Sequence, residues 1–225
     1  MRPALAALAC LPLVAAAAAA QDTDRTVAGG GIAVAGWKGA VDARAAQRGK
    51  TIADSRFASK GGKLELKIGP AAVYWNDANR ASGSYEVKAT FTENAHKAGH
   101  PHPYGMFIGG SDLGTADQAL AYCIVYANGT YSVKYFRGAN VVTVADRVAS
   151  PAINKAGAGG AATNEIGWRV RGGKAACVIN GREVQSWDAA QLVGPGKLKS
   201  LDGTYGVRVS HNLDLALTTP TLTKL

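Results

Sequence analysis

The 225-residue sequence has only three cysteines, two methionines and sixteen acidic residues. It has no internal repeat and no stretch with the sustained period of a long helix, which argues against bundles and solenoids. Acids are outnumbered by 25 Lys and Arg, giving a formal charge of +9. The basic residues (Lys60, Lys63, Lys67, Arg137, Arg169, Arg171, Lys197, Lys199) are scattered rather than interleaved with stacking aromatics, so nucleic acid is not an expected partner. One long apolar run exists: Arg2 precedes LAALACLPLVAAAAAA, which ends in Ala18-Ala19-Ala20. It is short, Ala-dominated and interrupted by Pro12, and reads as a cleaved signal over residues 1–20 rather than a membrane span. A periplasmic or secreted bacterial protein with no membrane span after cleavage is expected. Removing the leader leaves 24 basic residues and a formal +8.

What the sequence has in quantity is short alternating segments separated by glycine. It is 47% hydrophobic with 28 Gly, enough for one good core. Ser84 to Glu93, SYEVKATFTE, alternates cleanly: Tyr85, Val87, Ala89, Phe91 and finally Glu93 share one face. Leu64, Leu66 and Ile68 alternate with Glu65 and Lys67 before Gly69-Pro70 turns the chain into AAVYW. In AYCIVYANGTYSVKYF, residues 121–136, Asn128-Gly129 predicts a two-residue type I′ hairpin. That register pairs Tyr126 with Tyr131, Ile124 with Val133 and Tyr122 with Tyr135 on one inter-sheet face. Gln21 to Gly36 reads as a loose leader, residues 37–54 as a short helix or an irregular crossing, and 37–225 as one domain. Ten to twelve short strands with Gly-rich turns predict an all-β, two-sheet antiparallel sandwich or a barrel.

After processing, Cys123 and Cys177 remain. If strands beginning at Ala121, Tyr131, Ile166, Ala175 and Glu183 form one meander, the cysteines stand on its first and fourth strands, on the order of 14 Å apart. Two buried free thiols are then expected.

Trp168-Arg169-Val170-Arg171, followed by Cys177-Val178-Ile179-Asn180-Gly181-Arg182-Glu183-Val184, resembles the concanavalin A-like lectin and glucanase superfamily. In such domains a W-x-V-x-x-G strand precedes V-x-x-N-G-x-x-V. Leu64-Glu65-Leu66, Tyr74-Trp75 and SYEVKATF (84–91) look like their early strands, and the resemblance covers about residues 37 to 222. It is nearest to secreted bacterial 3-keto-disaccharide hydrolase-like domains. The resemblance implies a concanavalin A-like jelly-roll β-sandwich with a saccharide site on the concave face or its rim loops.

Candidate chemistry concentrates in NAHKAGHPHPY, where His96, His100, His102 and Tyr104 are the expected ligand-binding residues. An imidazole beside an aromatic ring suits sugars, which offer hydroxyls at their edges and C–H faces for stacking. The H-x-x-x-H-x-H spacing matches no zinc motif, so neither a metal nor a cofactor is expected. Glu93 and Asp112 are the candidate catalytic carboxylates, although the Glu-x-Asp-x-(x)-Glu string of laminarin-degrading members is missing. His211, following Val207 and Val209, reads as a hydrogen-bonded core or edge histidine. The expected function is an exported domain that binds carbohydrate or accompanies its processing. A divergent glycoside hydrolase and an envelope scaffold without a small-molecule site remain open as alternatives.

Overall fold

The computed structural model describes residues 22–97 and 99–225; the expected signal, residues 1–20, lies outside the described residues. The strands are β1 (Gly31–Ile32), β2 (Trp37–Val41), β3 (Arg56–Lys60), β4 (Lys63–Lys67), β5 (Ala72–Ala81) and β6 (Tyr85–Glu93). They continue with β7 (Tyr104–Ser111), β8 (Ala119–Tyr126), β9 (Thr130–Arg137), β10 (Asn140–Ala149) and β11 (Ala162–Arg171). The last are β12 (Lys174–Ile179), β13 (Arg182–Asp188), β14 (Gly203–Val209), β15 (Asp214–Leu217) and β16 (Thr221–Lys224). Residues 37–54 resolve into β2, a short helix at Ala43–Gln47 and a 3₁₀ turn at Ile52–Asp54.

Two sheets form the sandwich. One runs β1-β3-β4-β15-β6-β11-β12-β13, with β16 sharing the edge of β6 beside β15; the other runs β10-β9-β8-β7-β14-β5-β2. All pairs are antiparallel except β1 with β3. The alternation read in β6 is the observed one, with Tyr85, Val87, Ala89, Phe91 and Glu93 buried and the residues between them partly open. Trp168 of β11 is fully buried, and its indole N–H donates to the Met106 carbonyl of β7 at 3.0 Å, tying the layers together.

Three expectations are corrected. The hairpin loop has three residues, Ala127 to Gly129. Tyr126 pairs with Thr130, Val125 with Tyr131, Cys123 with Val133, and Tyr122 with Lys134. Gly129 takes the left-handed φ of 95° while Asn128 stays out of that region, and the Gly129 N–H donates to the Tyr126 carbonyl. Asn128 Oδ1 accepts from the backbone N–H and the hydroxyl of Thr130. The turn is therefore of the three-residue kind that ends in a left-handed glycine. A one-residue slip exchanges the faces of β9 relative to β8. Tyr131, Val133 and Tyr135 join the inter-sheet core with Cys123 and Val125. Tyr122 and Ile124 turn outward with Leu120 and Phe136.

Cys123 and Cys177 form a disulfide with Cα atoms 6.0 Å apart. The free-thiol expectation assumed a single meander, but the segment after β10 crosses to the other sheet. β8 and β12 then face each other across the core instead of lying three strand spacings apart in one sheet.

The segment expected to be loose is held in place over its described residues, 22–36. Arg25 donates to the carbonyls of Ile68 and Leu213, the Val27 N–H meets the Asp54 carbonyl, and β1 pairs with β3.

Candidate functional site

The outer face of the seven-stranded sheet carries aromatic side chains over an arginine. Arg208 of β14 is buried and makes a bidentate pair with Asp42, both contacts 2.6 Å. Its guanidinium carbon lies 5.4 Å from the Tyr122 ring centroid and 5.1 Å from that of Phe136, within reach of cation–π attraction. Tyr122 and Phe136 in turn lie 5.5 Å apart. Pairing with Asp42 at this geometry offsets the desolvation of Arg208, so an arginine can support an apolar face.

At the free end of this floor, β10 leaves regular register twice, between Thr143 and Ala145 and between Ala145 and Val148. Such bulges re-aim side chains. Here Arg147 takes a left-handed φ of 47°, its N–H donates to the Ser132 hydroxyl, and that hydroxyl donates to Asp146. The result places the Arg147 guanidinium 4.4 Å over the Tyr126 ring, while Lys134 pairs with Asp146.

A groove of about 540 Å³ lies over this face, lined by Tyr122, Ile124, Tyr126, Lys134, Arg147 and Arg208 and closed at one end by His100, His102, Ser210 and His211. Among the described residues, no carboxylate lines it. A second groove, about 680 Å³, shares His100, His102 and His211 and adds Asp22, Asp24, Asp42, Arg44, Arg48 and Lys50. The histidines thus form the wall between a cationic aromatic groove and a mixed-charge one.

Within that wall the rings of His102 and His211 meet edge to face at 4.2 Å. His102 Nε2 lies 2.8 Å from Asp22 Oδ2, and His211 Nδ1 lies 2.9 Å from Asp24 Oδ1. Asn212 donates to the other Asp22 oxygen, and Arg48 donates to the other Asp24 oxygen. Burial pulls His102 below the ordinary imidazole range against the opposing pull of Asp22. The hydrogen bond from His102 lowers Asp22. Both shifts describe a neutral imidazole donating to an ionised carboxylate.

The residues singled out from sequence separate into three places. His100 and His102 reach the groove. Tyr104 does not: its parity continues into β7 on the core side, and the residue is completely buried, which corrects its expected place at the rim. Its hydroxyl and Glu93 Oε2 are both buried without a hydrogen-bond partner among the described residues. Burial, then the charge of Glu93, raises the phenol's pKa. His96 Nδ1 lies 3.3 Å from Glu93 Oε1, away from the groove lining. Asp112 is paired with Lys199 at 2.7 Å on the loop that follows β7. Glu93 neighbours the first residue of β7 and Asp112 follows its last, so the eight-residue strand puts roughly 20 Å between them. They do not form a pair that could cleave a glycosidic bond.

Sequence reasoning missed Asp22, Asp24, Arg147 and Arg208. Asp22 and Asp24 sit in a segment with no periodicity to place it. The available signal was their alternation with Thr23 directly before Arg25, two acids in an otherwise apolar and glycine-rich stretch.

No family model and no curated protein matches the sequence. Solved structures do match the fold. The carbohydrate-binding module CBM66 from Bacillus subtilis aligns over 84% of this chain and 96% of its own at 13% identity, TM-score 0.55. An endo-β-1,3-glucanase from Pyrococcus furiosus aligns over 88% and 91% at 10% identity, TM-score 0.53. A Bacillus subtilis protein described as having a galectin-like fold aligns over 84% and 89% at 12% identity, TM-score 0.50. With two antiparallel sheets and these neighbours, the chain has the concanavalin A-like jelly-roll β-sandwich fold.

Proposed function

We propose that this is an exported domain that binds saccharide, without cleaving it, in the groove on the outer face of the seven-stranded sheet. The observation that carries the reading is the groove's lining, in which the donors Lys134, Arg147, His100 and His102 converge above a floor that includes the buried rings of Tyr122 and Tyr126, and in which no carboxylate among the described residues takes part. Convergent donors in a carboxylate-free groove match the hydroxyl edges of a sugar. The separation of Glu93 from Asp112 favours binding over hydrolysis. The structural neighbours include a carbohydrate-binding module and a glucanase, which supports saccharide as the ligand class. Export is supported by the Arg2-led apolar run and by a disulfide of the kind oxidising compartments maintain. No helix among the described residues is long and apolar enough to cross a membrane.

The test is a glycan array followed by titration with the best ligand. Arg147→Ala and His100→Ala both alter exposed residues that line the groove. Each is expected to weaken binding by about three- to tenfold, with melting temperatures close to the parent's. A folded protein that binds no glycan overturns the proposal.

A further inference from the structure

The structure assigns a second site to this chain: a transition-metal site formed by Asp22, His102 and His211. One ligating atom from each of these residues lies within 4.8 Å of those of the other two. Two imidazoles and one carboxylate form a donor set for borderline cations such as Zn²⁺ or Co²⁺, whereas Ca²⁺ and Mg²⁺ favour all-oxygen ligation. The residues come from three separated parts of the chain, the N-terminal segment, the loop before β7 and the turn after β14. No local turn accounts for their meeting.

The surroundings supply what a metal-binding histidine requires. Asp24 accepts from His211 Nδ1, which leaves Nε2 as the nitrogen for a cation, the carboxylate–histidine arrangement that orients metal ligands. Asp24 is itself held by Arg48, and its side chain is only 7% exposed. Asn212 fixes Asp22 through Oδ1, leaving Oδ2, the oxygen that meets His102 Nε2. A cation takes the place of the proton bridging those two atoms, and His102 becomes its Nδ1–H tautomer. Three protein ligands leave a four-coordinate metal one open position. His102 and His211 line both grooves, so that position borders space a ligand oxygen can enter. The assignment does not depend on the saccharide reading and is tested without sugar.

Tag-free protein, stripped with chelator, is titrated with ZnCl₂ and CoCl₂, and separately with CaCl₂ and MgCl₂. One equivalent of Zn²⁺ or Co²⁺ is expected, with a visible absorption band for Co²⁺ and no uptake of Ca²⁺ or Mg²⁺. His211→Gln and Asp22→Asn should each weaken Zn²⁺ binding at least tenfold. Asp24→Asn, which touches no metal, should weaken it by about 10–100-fold. Melting curves of the metal-free variants report whether each folds. Should a variant not fold, the parent alone suffices: Zn²⁺ should protect its His102 and His211 from diethylpyrocarbonate. Absence of transition-metal uptake by the parent, unchanged affinity in folded His211→Gln, or modification of both histidines regardless of Zn²⁺ overturns the assignment.

Discussion

Arg147 lies over the ring of Tyr126 at 4.4 Å, and it reaches that place through a backbone conformation that arginine rarely adopts. A left-handed φ costs a residue with a Cβ roughly 1 kcal/mol relative to glycine. Arg147→Gly should therefore melt at or slightly above the parent temperature and lose glycan affinity as much as Arg147→Ala does. Calorimetric melting with titration of the same samples checks both. Equal glycan affinity in Arg147→Gly and the parent would remove Arg147 from the groove's function.

The disulfide between Cys123 and Cys177 closes 54 residues of sequence and joins β8 to β12 through the core. Chain-entropy reasoning gives a link across a loop of this length about 4 kcal/mol. Paired substitution of both cysteines by alanine should reduce the unfolding free energy measured in guanidinium by that amount while leaving groove binding intact. Reductant should produce the same loss in the parent and none in the variant.

Glu93 faces the core, and burial raises its pKa above the ordinary 4.5 despite the opposing pull of His96. The folded protein holds this proton more tightly than the unfolded chain does. From about pH 4.5 upward the unfolded state releases it first, and the stability associated with neutral Glu93 falls as pH rises. Glu93→Gln keeps a carbonyl oxygen for His96 and removes the ionisation. Its stability relative to the parent should grow from about pH 4.5 toward neutrality, as read by urea unfolding across that range. A pH-independent difference would show that Glu93 ionises in the fold at its ordinary value.

The strands themselves were legible because alternation with period two survives wherever one face is buried, as in Tyr85 to Glu93. Asn128-Gly129 located the hairpin correctly, but the two-residue loop read from it is one residue too short. Asn128 can supply a positive φ or, as observed, bond its side chain to Thr130; the dipeptide looks the same either way. The cysteine pairing turned on where the chain crosses between sheets, and no residue in the glycine-rich stretch after β10 records that crossing. His102 was identified from its loop, while its partner His211 looked like the end of the Val207-Val209 stripe. Only the folded chain shows that β14 ends beside the loop preceding β7 and that Asp22 and Asp24 come to meet both. Arg208 illustrates the same limit, since its carboxylate Asp42 is 166 positions away.

The three-residue loop from Ala127 to Gly129 also sets which kind of sequence change the domain can absorb. Asn128 is exposed, and exchanging its side chain disturbs only the turn. Deleting one loop residue would instead turn Ser132 and Lys134 toward the core and push Tyr131, Val133 and Tyr135 into water. Tolerance here is governed more by length than by identity. Descendants of this chain can vary the letter at the tip of the loop while its count stays at three.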